Sequence, residues 1–278
     1  MNPSSKITSI LLLVILVPLS LLFSGCKKEN PAPPTPPDFG AINIQFNHVF
    51  KGIPLILDSL AWMDDYGNKF EINELQYFIS DVRLHLHGGG TYQIATSDGI
   101  HYIDARIPES HQWLPVDQVP LGSYDSVSFT FGLNLVKNLS NRFPDPPERD
   151  MFWPELLGGG YHYMKLNTKW KNDSVVELRP FMMHLGIGQI YDPIVQDSII
   201  GYVPNFFFVK LDSSSLVIEA GKQKTIVITM NLDRWFDGPP NAFNLATMPQ
   251  GIMQNQPMMH AVCMNGRGAF SVKTAKCE

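Results

Sequence analysis

The sequence has little cysteine, little charge and no run of basic residues. Three cysteines in 278 residues exclude a disulfide-dense scaffold. Charged residues make up 17% and the formal net charge is -5. A slightly acidic chain without a Lys/Arg cluster lacks the electrostatic footprint of a nucleic-acid binder. A nucleophile elbow, a Walker loop and an HExxH pair are all missing, so no enzymatic activity is expected. Gly88-Gly89-Gly90 and Gly158-Gly159-Gly160 lack the surroundings of a phosphate loop and read as turns. Asp64-Asp65 sits in a polar turn and carries little weight as a glycosidase dyad, because sequence gives no carboxylate separation. There is no internal repeat, and helical periodicity is poor throughout. At 44% hydrophobic residues the chain is nevertheless apolar enough to fold.

The N-terminus reads as an address. Lys6 precedes an apolar run over residues 10–23, which Pro18 interrupts. The run is shorter than the roughly 20 residues a spanning helix needs. Small residues and a cysteine follow, and Leu22-Phe23-Ser24-Gly25-Cys26 resembles a bacterial lipoprotein signal. The expectation is a signal peptide over residues 1–25, cleavage before Cys26 and acylation of Cys26, palmitate included. Lys27 rather than Asp after the cysteine points to the outer membrane, facing the periplasm or the cell surface. An ordinary signal peptide or an uncleaved anchor helix is the plainer reading. Residues 26–38 then comprise the lipidated cysteine and a tether with Pro31, Pro33, Pro34, Pro36 and Pro37. Proline fixes φ and removes a donor, which favours an extended spacer.

Residues 39–278 read as all-β, a single β-sandwich of about ten strands with long functional loops. Ile42, Ile44, Phe46, His48 and Phe50 alternate with polar residues, as in a half-buried strand. Val127, Phe129, Phe131 and Leu133 repeat the pattern, and so do Ile226, Ile228, Met230 and Leu232. Leu216-Val217-Ile218 and the turn Ala220-Gly221-Lys222 predict a hairpin with the last of these. Further strands are expected over residues 77–87, 92–94, 101–103, 162–170 and 205–211. Short helices or turns are expected within residues 70–75 and 233–236. The longest irregular stretches are residues 134–160 and 239–257, and loops of that length are usually functional.

Chemistry-bearing residues are concentrated in 12 Met, 8 His and 5 Trp. His48, His162, His184 and His260 lie in apolar or Met-rich surroundings, while His85 and His87 share a wetter strand face with Arg83. His101 and His111 fall near strand ends or loops. A lone buried histidine is more often a hydrogen-bonded core residue than a ligand. Several with methionines nearby make copper plausible, because imidazole and thioether suit Cu(I); Met also fills irregular cores. Such ligands bind only when neutral, so affinity should fall below about pH 6. Cys263 and Cys277 remain after Cys26, and a disulfide between them is the default in an oxidising compartment. A copper cluster in His260-Ala261-Val262-Cys263-Met264 has the reverse of the blue-copper loop order.

Five segments in order resemble the MbnP family. They are residues 44–55, which carry Phe46-Asn47-His48 and are followed by Asp58; residues 67–84, which carry Tyr77-Phe78-Ile79-Ser80-Asp81; residues 122–133, which carry Phe129-Thr130-Phe131-Gly132; Met151-Phe152-Trp153 with residues 160–166, which carry Gly160-Tyr161-His162; and His184-Leu185-Gly186. The resemblance implies a β-sandwich and a copper site near the middle loops. It also implies a partner, a dihaem enzyme of the MauG or cytochrome c peroxidase type, which oxidises a Trp to kynurenine. Carried onto this chain, it places the oxidised residue at Trp153 and the ligands at His48 and His184. His162, Met151, Met182 and Met183 are secondary candidates. Pro154-Glu155-Leu156 departs from the family pattern, which has a second Trp here. A rival reading is a metal-free adhesion or glycan-binding lipoprotein, with Trp113, Trp235 and Phe236 as its contact surface.

Overall fold

The computed structural model describes residues 38–274, apart from residues 196 and 239. The expected signal peptide, Cys26, tether residues 26–37 and Cys277 lie outside the described residues.

The strands of three residues or more are β1 (Phe39–Phe50), β2 (Lys69–Leu86), β3 (Thr91–Gln93), β4 (Ile100–Asp104), β5 (Gly122–Phe131), β6 (Met164–Lys171) and β7 (Arg179–Leu185). They continue with β8 (Ile187–Tyr191), β9 (Ile199–Pro204), β10 (Phe207–Leu211), β11 (Leu216–Ile218), β12 (Gln223–Asn231) and β13 (Phe270–Thr274). The helices are α1 (Asp233–Asp237) and α2 (Gln256–Gly266).

Two sheets make a sandwich. The smaller runs β13-β12-β1, with the short pieces Ile53–Pro54, Gln112–Trp113 and Val119–Pro120 also paired to β1. Strands β1 and β12 are parallel, with Ile44 opposite Ile226 and His48 opposite Met230. The larger sheet runs β7-β6-β2-β5-β10 and is built on the 18-residue strand β2. Strands β8 and β9 form a separate two-stranded ribbon.

The alternation in β1 aims Phe50 at Phe70 (ring centroids 5.4 Å apart) and His48 at Tyr77 (5.7 Å) of the larger sheet. Phe131 meets Phe270 and Trp235 in the same layer. Burying each such side chain contributes about 1.5–3 kcal/mol. The middle of β2 is buried on both faces, from Tyr77 through Val82. Tyr77 turns toward the smaller sheet. Phe78 turns outward, where Phe143 and Tyr161 of the segment after β5 cover it. That segment is fastened at its start by Lys137 Nζ, 2.8 Å from Asp81 Oδ1 in a nearly buried pair, and by Asn134 Nδ2 donating to the other Asp81 oxygen. The chain thus has a second small core on the outer face of the larger sheet.

Three sequence expectations change. The Leu216–Ile218 hairpin is absent: β11 pairs with β5, Leu216 opposite Tyr124, while β12 joins the smaller sheet. The turn at Gly221 (φ 66°) is a corner between sheets. Alternation reports a half-buried strand but not which sheet it joins. Residues 70–75 are strand, part of β2. Residues 256–266 form a helix, capped by Asn255, whose side chain accepts the N–H of Met258, with proline in the first turn. Met259, Val262, Cys263 and Gly266 are its buried face. In the sequence this stretch stands out as Met-rich, which masks its helical spacing.

Candidate metal centre

The outer core gathers Met151, Trp153, His162 and His184. The chain doubles back so that Phe152 bridges Tyr161, the N–H of Trp153 donates to Gly160 O at 2.9 Å, and the N–H of His162 donates to Met151 O. Trp153 has no exposed surface, and its Nε1 donates to Leu157 O at 3.1 Å. Its six-membered ring lies over Gly186: a Cβ there would come within 2.5 Å of Cε3. The glycine of the His184-Leu185-Gly186 segment is therefore the seat of the indole.

His162 stands edge to face with Trp153, centroids 4.6 Å apart, and meets His184 at 5.1 Å with an 85° interplanar angle. His162 Nδ1 lies 2.9 Å from Met151 O, an acceptor only, so Nδ1 carries the proton and Nε2 the lone pair. His184 Nε2 lies 2.8 Å from Asn167 Oδ1. The Asn167 amide is oriented by Glu74, whose carboxylate accepts from Nδ2. His184 Nε2 is thereby the donor and Nδ1 the lone-pair nitrogen. A ring N–H fixed on a carbonyl or amide oxygen is the usual support of a metal-ligating histidine.

Both rings are held neutral. Burial, then the charge of His184, pushes His162 down to about 3. Burial, then Lys165, pushes His184 down to about 4. Lys165 is itself lowered by burial and donates to Asp150 O at 2.6 Å.

His48 is elsewhere, so the expected His48–His184 pair does not form. Lys165 is opposite both His184 and Gln76, which puts those three on the outer face of the larger sheet. Met164 is opposite both Leu185 and Tyr77, which face inward, and Tyr77 is the residue that His48 touches, Nε2 to hydroxyl 3.0 Å. The sheet itself separates the two histidines. The ring beside His48 is His111, at 5.1 Å.

Met151 is buried and supplies its carbonyl to His162. Met183 faces the core, and Met182 shares the outer face of β7 with His184. His101 is stacked between Phe46 and Trp113. His260 is exposed. Cys263 is buried, its thiol donating to Asn205 O at 3.3 Å. Trp113, Trp235 and Phe236 are at most 5% exposed, so they form no contact surface for a glycan. Asn167 and Glu74 carry no sequence signal of a metal site, and His111 stands out only as a histidine near a strand end; strand pairing and a loop crossing bring them to the other histidines.

Among the described residues, no group of three or more His, Cys, Asp or Glu side chains is placed to hold a metal ion. Two neutral nitrogens are too few for a structural Zn²⁺ site, which takes four ligands. They fit Cu(I), which accepts low coordination and imidazole donors.

The MbnP family model matches residues 39–256. The solved structure of MbnP from Methylosinus trichosporium matches with a TM-score of 0.53 at 17% identity, covering 85% of this chain and 99% of that one. At that identity the likeness is one of fold. No curated protein matches the chain significantly. With the family model spanning most of the sandwich, its second core and the segments that carry Trp153 and His184, the chain belongs to the MbnP family.

Proposed function

We propose that the protein is a copper-binding lipoprotein without catalytic activity of its own, in which His162 and His184 hold Cu(I) and Trp153 is the oxidisable residue beside them. The observation that carries this reading is the paired imidazoles, 5.1 Å apart, each with one N–H committed to an oxygen acceptor and the other nitrogen left as a lone pair. Bound copper would supply a soft cationic centre; the chain's part is to keep both rings neutral, oriented and shielded by Trp153.

The oxidant proposed for Trp153 is a dihaem enzyme of the MauG or cytochrome c peroxidase type. Trp153 has no exposed surface, whereas neighbouring Phe152 is 42% exposed. Oxidation would therefore begin with electron withdrawal through the loop by the dihaem enzyme rather than by direct contact with the indole, with the oxygen of the product supplied by O2 or water. Anchoring through acylated Cys26 in the outer membrane follows from the Leu22-Phe23-Ser24-Gly25-Cys26 signal.

The test is Cu(I) competition against a chromophoric chelator, with full-length protein in detergent. Wild type should withdraw copper that the His162→Ala/His184→Ala variant leaves on the chelator. Equal withdrawal by both would sink the assignment. Co-expression with the dihaem enzyme should change the mass of the peptide containing Trp153, and an unchanged peptide would remove the partnership.

A further inference from the structure

The ribbon of β8 and β9 leaves one backbone edge open. Strand β8 is the inner strand, packed on α2 and on the turn Glu155–Leu157. Gln189 ties it to that turn, its Nε2 donating to Leu157 O at 2.7 Å, the carbonyl that also takes the indole N–H of Trp153. Strand β9 is the outer one, and among the described residues no strand pairs with its far edge. An open edge presents a row of unpaired N–H and C=O groups, which proteins usually blunt with lysine, proline or a covering element. Residues 199–204 read Ile-Ile-Gly-Tyr-Val-Pro, with no charge and with proline only at the end.

The side chains along this edge are apolar and exposed. Ile200 is 59% exposed and Tyr202 51%, and as residues i and i+2 of one strand they share a face. Tyr202 lies over Gly158, where a Cβ would come within 3.0 Å of its ring, and Leu156 in the same turn is 86% exposed. Ile194, in the turn that joins the two strands, is 90% exposed. A six-residue edge alone buries less than the roughly 800 Å² that each partner of a standard interface gives up. Leu156 near one end of the ribbon and Ile194 at the other extend the apolar area.

We infer that β9 pairs with β9 of a second copy of this chain, antiparallel about a two-fold axis through Gly201, to give a continuous four-stranded sheet. The sequence around that axis is self-complementary. Ile200 of one copy falls opposite Tyr202 of the other on both sides of the axis, a β-branched residue beside an aromatic. Gly201 falls opposite itself, with no side chain between the backbones. The antiparallel arrangement carries the Ile194 end of one ribbon toward the Leu156 end of the other, apolar against apolar. A two-fold contact uses the same patch on both copies and closes, so assembly stops at two. The pairing needs none of the proposed metal ligands.

Sedimentation equilibrium of full-length protein in density-matched detergent tests it. Wild type should have twice the chain mass. Ile200→Lys/Tyr202→Lys should raise the dimer dissociation constant about a hundredfold, because like charges then stand opposite each other. Near-UV circular dichroism checks that this variant keeps its packing. Gly201→Cys, on a Cys277→Ser background in which Cys263 is buried, should oxidise to a disulfide-linked dimer. A Cβ at Gly201 meets only the Ile190 side chain, at 3.3 Å. Val176→Cys, 77% exposed in the loop between β6 and β7, should stay single on the same background. A monomeric wild type or an assembly of more than two copies overturns the inference. So does a dimer mass that is unchanged in Ile200→Lys/Tyr202→Lys, which is what two acyl chains sharing a micelle would give. If that variant loses its packing the crosslink decides, and failure of Gly201→Cys to link overturns the pairing.

Discussion

Trp153 and His162 meet edge to face with centroids 4.6 Å apart. The same imidazole meets His184 at 5.1 Å, so one ring links the buried indole to the paired histidines. An oxidised Trp153 would thus lie beside the proposed ligands without any rearrangement of the strands.

Gly186 makes that arrangement possible. Gly186→Ala would press a methyl into the indole, its Cβ 2.5 Å from Cε3. The expected outcome is a loss of about 1–3 kcal/mol of stability in urea unfolding, with a shift in tryptophan emission. A stability equal to wild type would show that the indole does not rest on this glycine.

Asn167 orients His184 without itself being a proposed ligand. Asn167→Leu removes the acceptor at 2.8 Å and leaves both imidazoles in place. Cu(I) affinity should fall by about 10–100-fold, as for other supporting partners of metal-bound histidine. His184→Ala should abolish binding at the His162–His184 pair. Equal affinity for Asn167→Leu and wild type would mean that the ring needs no such support.

Much of this fold was legible in the sequence, because alternation is local. The period-two pattern of Ile42, Ile44, Phe46 and His48 places β1 correctly, and the short helix at Asp233 is found. Pairing is not local. That β11 leaves β12 for β5, and that His48 and His184 lie on opposite sides of one sheet, follow only from strand register. The Met151, Trp153, His162 and His184 segments were each singled out. Their convergence needs the doubling-back between Phe152 and Tyr161, which no periodic pattern announces.

The pH dependence differs from what an ordinary histidine gives. Folding lowers His48 and His162 to about 3 and His184 to about 4, from 6.5. Below 6.5 the unfolded chain binds protons that the folded one refuses, so stability is full above that value and is lost as pH falls toward about 4 and then 3. Urea midpoints should decline steadily from about pH 6.5 downward, and less steeply in His48→Gln. Cu(I) affinity should hold from neutral pH to about pH 5, lower than the pH 6 limit expected of unperturbed imidazole. An affinity that halves near pH 6.5 would contradict neutral, buried ligands.

Asp237 has the opposite sign. Burial, then the charge of Asp65, raises it from 3.8 to about 6, with Lys51 Nζ 4.0 Å away. Between those values the folded chain holds a proton that the unfolded one has lost, so this carboxyl's contribution falls as pH rises through about 6. Asp237→Asn should raise the melting temperature at about pH 7.5, and the gain should vanish near pH 4. A gain that is the same at both would rule out ionisation as its cause.

The account stands most directly on where copper sits. Crystals of the protein loaded with Cu(I) should give an anomalous difference peak at the copper edge between His162 Nε2 and His184 Nδ1, beside Trp153. Loaded crystals with no peak there, whether copper lies elsewhere or is absent, would contradict it.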